Sequence, residues 1–134
     1  MRSVLLVSSD ENAPISPQER SRRDTAFSWL QNQMRARGTP IVGERMQPSE
    51  AAITVRCWDG GDVIITAGPT ASAREQLGAV FIVDCEDLDE AIGLATTIPA
   101  AWYGTVEVWP VLAEWPRDED RLASYNSEDV KAVG

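Results

Sequence analysis

The chain has 134 residues, of which 43% are apolar and 25% charged, and its formal net charge is -9. This composition is ordinary for one globular domain, and the acidic excess argues against nucleic-acid binding, which requires clustered Lys and Arg. The chain contains no histidine, which excludes Ser-His-Asp and Cys-His catalysis as well as imidazole metal sites.

The apolar stretches are short. None approaches the ~20 residues of a membrane span, and the apolar run within residues 1–7 is too short for a secretory signal. We therefore predict a cytoplasmic protein that contacts neither membrane nor nucleic acid. Cys57 and Cys85 stand in neither metal-ligand nor redox spacing, and we interpret both as buried, reduced thiols. The sequence predicts no metal and no cofactor.

The first third of the chain predicts a strand followed by a long helix. Residues 2–8 are apolar and strand-like, and the capping box of Ser16 and Glu19 starts a helix that ends at Gly38. The predicted apolar stripe of this helix contains Phe27, Leu30 and Met34, widened by Ala26 and Trp29. Residues 20–24 are the only basic cluster. They form either a solvated helix face or a site where Arg20 or Arg23, with Asp24, points into a cleft over the sheet.

The middle of the chain predicts a strand and a hairpin. Residues 41–46 form the second strand. Strands over 52–58 and 63–66 flank the hairpin turn Asp59-Gly60-Gly61. Alternation places Ile53, Val55 and Cys57 on one face of the hairpin.

The last elements are a strand over 77–83, a helix started by the capping box of Asp87 and Glu90, and a strand over 105–111. The predicted apolar face of this helix contains Leu88, Ala91, Ile92, Ala95 and Ile98. We assign residues 1–112 to one domain. Residues 113–134 form an acidic tail, either with a short helix or mobile.

This order of elements predicts an α+β fold of the ferredoxin-like split βαβ type, an antiparallel sheet with two helices on one face. The strands within residues 4–7 and 80–83 are apolar on both faces. Because two helices cover only one face, the other face needs a partner. We therefore predict a homodimer whose sheets pack face to face.

Four segments carry a family resemblance: residues 42–48, Ala67-Gly68-Pro69 continued by residues 74–78, residues 87–91, and residues 98–108. Over residues 1–112 the chain resembles the YCII-related, or DGPF-domain, family of dimeric α+β barrel proteins. The resemblance implies a ferredoxin-like protomer, a dimer, and a pocket between helix and sheet in each subunit.

The chain departs from the family motif at the residues linked to chemistry. In some members of the family, a His and the Asp of the DGPF motif are a proposed acid/base pair. Here Ala67 and Thr70 stand where the motif has Asp and Phe, and no histidine exists. The acid/base pair is therefore not carried over, while Gly68 and Pro69 fit a role in the turn.

The sequence favours a small-molecule-binding protein and leaves open whether it is an enzyme of a biosynthetic or catabolic pathway. An enzyme without histidine can work by orienting and desolvating its substrate, or through a carboxylate with a raised pKa. The candidate catalytic carboxylates are Asp24, Glu44 and Glu75. The candidate ligand-binding residues are Arg45, Thr70, Ser72, Arg74 and Tyr103. For Arg74 and Glu75, a salt-bridged strand entry is the alternative.

The second hypothesis is a non-catalytic dimeric interaction or regulatory module with a degenerate pocket. Its basis is the presence of five tryptophans in 134 residues. We interpret most of them as core or dimer interface, and any exposed ones would mark a partner surface.

Overall fold

The computed structural model describes residues 1–37 and 42–112. Its strands are β1 (Arg2–Ser9), β2 (Val42–Arg45), β3 (Ile53–Cys57), β4 (Val63–Ala67), β5 (Gln76–Asp84) and β6 (Thr105–Pro110). Its helices are α1 (Pro17–Ala36) and α2 (Leu88–Thr97), and short 3-10 turns cover Ser49–Ala51 and Pro99–Trp102. The predicted order of elements is confirmed. Gly38, Ile41 and the predicted tail over 113–134 lie outside the described residues.

Both predicted helix starts are confirmed by their caps. The Ser16 hydroxyl accepts a hydrogen bond from the backbone N–H of Glu19 at 3.1 Å. The Asp87 carboxylate accepts one from the N–H of Glu90 at 2.9 Å. Each cap satisfies a backbone donor that the first helical turn would otherwise leave without a partner.

Strands β2-β5-β1-β6 form one antiparallel sheet in that spatial order, as in the ferredoxin-like fold. The register places Leu5 opposite both Phe81 and Val108. Because side chains alternate along a strand, these residues share the face on which the helices pack. Val4 and Ile82, which lie opposite each other, point to the other face, which we call the helix-free face.

The core lies between the sheet and the two helices. α1 contributes Leu30 and Met34, α2 contributes Ala91 and Leu94, and Phe81 is completely buried. The predicted apolar stripes were too wide, because the sheet contacts a narrower part of each helix. Three residues expected on these stripes are exposed: Trp29, Leu88 and Ile92. The sequence interpretation also missed Leu94.

The hairpin forms a sheet of its own. β3 and β4 pair only with each other among the described strands, although the order of elements did not predict this separation. Gly60 and Gly61, with φ of 101° and 92°, make the predicted turn. Apart from Thr54, every residue of these two strands is exposed. We call residues 53–67 the arm.

The two cysteines differ. Cys85 is buried as predicted, but Cys57 is exposed on the arm, so the prediction was wrong for Cys57. Burial raises the pKa of the Cys85 thiol, and the nearby carboxylate of Glu90 adds to the shift. Four tryptophans lie outside the core of the protomer, because they are exposed: Trp29, Trp58, Trp102 and Trp109. Their alternative place in a dimer interface stays a prediction. Trp115 lies outside the described residues.

Candidate functional site

A cavity of about 330 Å³, the first cavity, lies between α1, the ends of β2 and β5, and the turn before β6. Its apolar lining includes Val7, Phe27, Ala79, Phe81 and Ile98. The rings of Phe27 and Phe81 lie 5.5 Å apart between centroids. Because these side chains belong to the core or pack directly against it, the floor of the cavity is held by the same contacts that stabilise the fold.

An ion pair stands at the rim of this cavity. The Arg45 guanidinium lies 2.6 Å from the Asp24 carboxylate, and both side chains are about half exposed. The same guanidinium lies 5.3 Å from the centroid of the Phe27 ring. Arg45 reaches this position because it lies opposite Ala79 in the sheet, on the helix-covered face.

A second guanidinium lies against the ring of Tyr103. The Arg23 Cζ atom is 3.6 Å from the ring centroid, a cation–π contact. Arg23 Nε also donates a hydrogen bond to the Glu19 carboxylate at 3.3 Å. The position of Tyr103 depends on the next residue, because a Cβ atom on Gly104 would lie 2.2 Å from the Ser8 carbonyl oxygen.

The Tyr103 phenol stays neutral in this setting. Its pKa is raised, chiefly because partial burial disfavours the phenolate, while Arg23 and Arg45 act in the opposite direction. At neutral pH the hydroxyl is therefore protonated, so it can donate a hydrogen bond to a bound molecule and also accept one.

A second cavity of about 640 Å³ lies between the base of the arm and the segment that leads into β5. Small apolar residues dominate its lining: Ala51, Ala52, Ala67, Pro69, Ala71 and Ala73. It shares the wall formed by residues 46–48 and 76–77 with the first cavity. Next to this wall, the Glu11 carboxylate accepts a hydrogen bond from the N–H of Ser49 at 3.0 Å, and the Glu11 N–H donates to the Gln76 side chain at 3.0 Å.

The candidate site residues divide among three places. Asp24, Arg45 and Tyr103 line the first cavity, and Ser72 and Glu75 line the second. Three candidates line neither cavity: Glu44, Thr70 and Arg74. The structure therefore does not bring the three candidate carboxylates together.

The two outlying carboxylates have their own surroundings. Glu44 lies opposite Val80, on the helix-free face. Glu75 accepts a hydrogen bond from the Thr105 hydroxyl at 2.7 Å. The same hydroxyl lies 3.0 Å from the second carboxylate oxygen, so Glu75 links the segment before β5 to the start of β6.

Residues 20–24 of α1 were expected to form either a solvated face or part of a cleft over the sheet. The structure agrees with the cleft at three positions, because Arg20, Arg23 and Asp24 all line the first cavity. Sequence reasoning missed Glu11 and Gln76. Glu11 lies in an irregular segment and Gln76 begins β5. Neither residue belongs to a helix, so no helical pattern in the sequence indicated that its side chain lies near the cavities.

The comparisons with known proteins agree with the fold. The family profile of the YCII-related domain matches residues 1–116. The chain belongs to the YCII-related family. A curated relative is the uncharacterized protein R00369 of Rhizobium meliloti (strain 1021), 38% identical over 69 residues. That match covers 50% of this chain and 55% of the relative, so the chain spans about half of that protein's length.

Two further findings concern membrane and metal. Neither helix in the described part of this YCII-related chain is long and apolar enough to cross a membrane. Within residues 1–37 and 42–112, His, Cys, Asp and Glu side chains do not form a group of three or more that could hold a metal ion.

Proposed function

We propose that this YCII-related protein binds a small molecule in the first cavity. The supporting observation is the convergence of the Arg45–Asp24 ion pair and the Arg23–Tyr103 stack on one apolar floor. The cavity volume of about 330 Å³ lies at the small end of the range of ligand pockets, which is about 300–1,000 Å³. A few polar groups over an apolar floor are typical of such pockets.

The lining favours a ligand with an anionic group and a flat apolar body. Arg20, Arg23 and Arg45 bring three guanidinium groups to the cavity, and three carboxylates line it as well. Each carboxylate has a partner of its own: Asp24 pairs with Arg45, and Glu11 and Asp10 accept hydrogen bonds from backbone N–H groups. Each guanidinium has five N–H donors, so Arg45 can bind a ligand carboxylate while it keeps Asp24. The Phe27 and Phe81 rings provide surface for an aromatic or alicyclic body.

The proposal extends to a pathway enzyme that works without the His/Asp pair of its family. Catalysis in this cavity would rest on orientation and desolvation of the bound molecule. Of the three candidate carboxylates, Asp24 is the one that lines this cavity, and the neutral phenol of Tyr103 is a hydrogen-bond donor there.

The first experiment is native mass spectrometry of the protein purified without added ligand, followed by NMR titration with benzoate and 2-naphthoate. We expect a dimer of 14.7 kDa chains, and titration shifts centred on Phe27, Tyr103 and Ala79. Arg23→Gln and Arg45→Gln should each weaken binding about ten-fold, the loss of one charge-assisted contact.

Arg22→Gln is the matched control. Arg22 lies beside Arg23 on α1, but its side chain is 82% exposed and does not line the cavity. The control should bind both aromatic acids as the unmodified protein does. Shifts that are absent, that lie elsewhere, or that are unchanged in both cavity variants would contradict the proposal.

The second candidate function is a non-catalytic dimeric interaction or regulatory module. It is favoured by one observation, the exposed apolar residues of the arm. A dimer is part of both proposals, since the helix-free face carries Val4, Leu6, Val80 and Ile82 with no helix of the described chain over them. The two functions differ in the titration, because an interaction module with a degenerate pocket binds neither aromatic acid.

A further inference from the structure

The second cavity differs from the first in the charge of its lining. Among the described residues, only Glu75 contributes an ionisable side chain to it. Both carboxylate oxygens of Glu75 lie within hydrogen-bond distance of the Thr105 hydroxyl, at 2.7 and 3.0 Å. The first cavity, in contrast, has three guanidinium groups on its wall. A charged part of a bound molecule therefore finds its counter-charges in the first cavity, and an uncharged part is better placed in the second.

Two further polar side chains of the second cavity have partners in the protein. Gln76 accepts a hydrogen bond from the Glu11 N–H at 3.0 Å and donates one to the Ala73 carbonyl at 2.5 Å. The Ser49 hydroxyl donates to the Glu11 carboxylate. Because a polar group that is already paired gains little from a ligand, the surface that this cavity offers is chiefly apolar.

The two cavities are contiguous. They share residues 46–48 and 76–77 as a wall. The Met46 N–H donates to the Gly78 carbonyl at 2.8 Å, which extends the pairing of β2 with β5 and holds this wall in place. Met46 and Leu77 are 41% and 42% exposed, and neither belongs to the core. The wall therefore presents two apolar side chains over which a hydrocarbon chain can pass from one cavity to the other.

The two volumes fit two parts of one molecule. The first cavity, about 330 Å³, lies at the small end of ligand pockets and suits one ring with its acid group. The second, about 640 Å³, is larger and chiefly apolar. We infer that the second cavity receives an uncharged hydrocarbon chain of the ligand whose acid group lies in the first cavity. The ligand class is thus an alkyl-substituted aromatic or alicyclic acid. This inference rests on the proposed function and deepens it.

Ala67 is the position from which the second cavity can be tested. It lies opposite Ile53 at the base of the arm and lines the cavity. Because side chains alternate along a strand, it belongs to one face of the arm. We call this surface the apolar face of the arm, and its members are Ile53, Val55, Cys57, Val63, Ile65 and Ala67. Thr66, the neighbouring residue in β4, lies opposite Thr54 on the other face and does not line the cavity.

The experiment is an NMR titration of the full chain with benzoate and with its methyl and hexyl derivatives, substituted in the meta or para position. Both positions are used because the orientation of the ring decides which of them faces the wall. We expect the better hexyl isomer to bind about 30-fold more tightly than its methyl counterpart, about two-fold for each added CH2, which is half the free energy of complete burial. Its shifts should extend from Phe27 and Tyr103 to Ala71, Ala73 and Leu77.

Ala67→Asp should remove most of this gain. A carboxylate on the cavity wall would be desolvated beside the chain, so the gain from methyl to hexyl should fall to less than about three-fold. Thr66→Asp is the matched control, because it adds the same charge on the other face of the same strand, and it should keep the full gain. The circular dichroism of both variants should match that of the unmodified chain, since both positions are exposed.

The failure of this inference is distinguishable from the failure of the proposed function. If benzoate gives no shifts at Phe27 and Tyr103, the proposed function is contradicted and the inference falls with it. If benzoate binds there but neither hexyl isomer gains affinity, only the inference is overturned. It is also overturned if the gain survives Ala67→Asp. Hexyl shifts centred on Val55 and Ile65 would overturn it as well, because the chain would then lie on the apolar face of the arm.

Discussion

The strand β5 and the arm have similar sequences but opposite surroundings. β5 contains Val80-Phe81-Ile82-Val83, and β4 contains Val63-Ile64-Ile65. Phe81 and Val83 are completely buried, whereas Ile65 is 68% exposed. β5 lies between β1 and β2, with helices on one face, while β4 pairs only with β3 among the described strands. An apolar strand therefore indicates that a surface will be covered, but not whether the same chain covers it.

The contrast between the buried strand β5 and the exposed arm predicts that the largest loss of stability follows substitution of Phe81. Phe81→Ala should lower the free energy of unfolding by about 3–5 kcal/mol, because it removes a completely buried ring that packs against Phe27 of α1. Urea denaturation at fixed protein concentration measures the loss. Trp102→Ala, at a residue 87% exposed, should change it by less than about 0.5 kcal/mol. Equal effects would mean that ring size and not burial sets the cost.

The next largest loss of stability is expected at Gly104, where two backbone segments are closely packed. Gly104→Ala should cost about 1–3 kcal/mol, since the added Cβ would meet the Ser8 carbonyl, and it should also displace Tyr103. Thermal unfolding and the aromatic NMR signals of Tyr103 measure both effects. Gly93→Ala in α2 has open space around it and should stabilise the helix by up to about 1 kcal/mol. A destabilising Gly93→Ala would contradict this explanation.

The helix caps should have smaller effects. Asp87→Ala should cost about 1 kcal/mol, because the N–H of Glu90 loses its acceptor. Asp89→Ala is the control in the same first turn, where only the interaction with the helix dipole is lost. Chemical denaturation measures the free energy of unfolding of both variants, and the difference between them separates the contribution of the cap hydrogen bond from that of the negative charge. A loss as large for Asp89→Ala would assign the effect to charge alone.

The smallest effect concerns Tyr103 at high pH. Its pKa is raised in the folded chain, so the folded state binds the proton more tightly. Stability should therefore fall as pH rises above the phenol's unfolded pKa of ~10, until the folded pKa is passed. The ultraviolet absorbance of the phenolate follows the titration, with Tyr125→Phe as background so that one tyrosine remains.

Arg23→Gln in that background should raise the Tyr103 pKa further, because the guanidinium favours the phenolate. Arg22→Gln should leave it unchanged, since Arg22 does not contact the ring. If Arg23→Gln leaves the titration in place, the contact between Arg23 and Tyr103 at 3.6 Å has no electrostatic role.

Most of the fold was predictable because it depends on local signals. Ser16 and Asp87 mark helix starts, and Gly60 and Gly61 mark the turn. The family resemblance gave the same ferredoxin-like architecture, which the fold and the family match confirm. The detachment of the arm was not predictable, because alternation in a strand specifies a face and not the surface that covers it.

The candidate site was predictable only in part. Arg45, Asp24 and Tyr103 line one cavity although they are far apart in sequence. The resemblance pointed to a pocket between helix and sheet, and the helix position of Asp24 pointed to the same cleft. Arg74 was selected for its place after the Gly68-Pro69 turn, but the direction of a side chain in an irregular segment is not encoded by any periodicity.

The exposed edges of the arm also affect the tendency of the newly made chain to aggregate. Among the described strands, β3 and β4 each have one neighbour, so each leaves an edge whose backbone donors and acceptors those strands do not pair. Such an edge beside an apolar face is a template for β-aggregation. A newly made chain carries this hazard for as long as the apolar face of the arm is uncovered, so the yield of intact protein should depend on its concentration during synthesis and on chaperones and proteases.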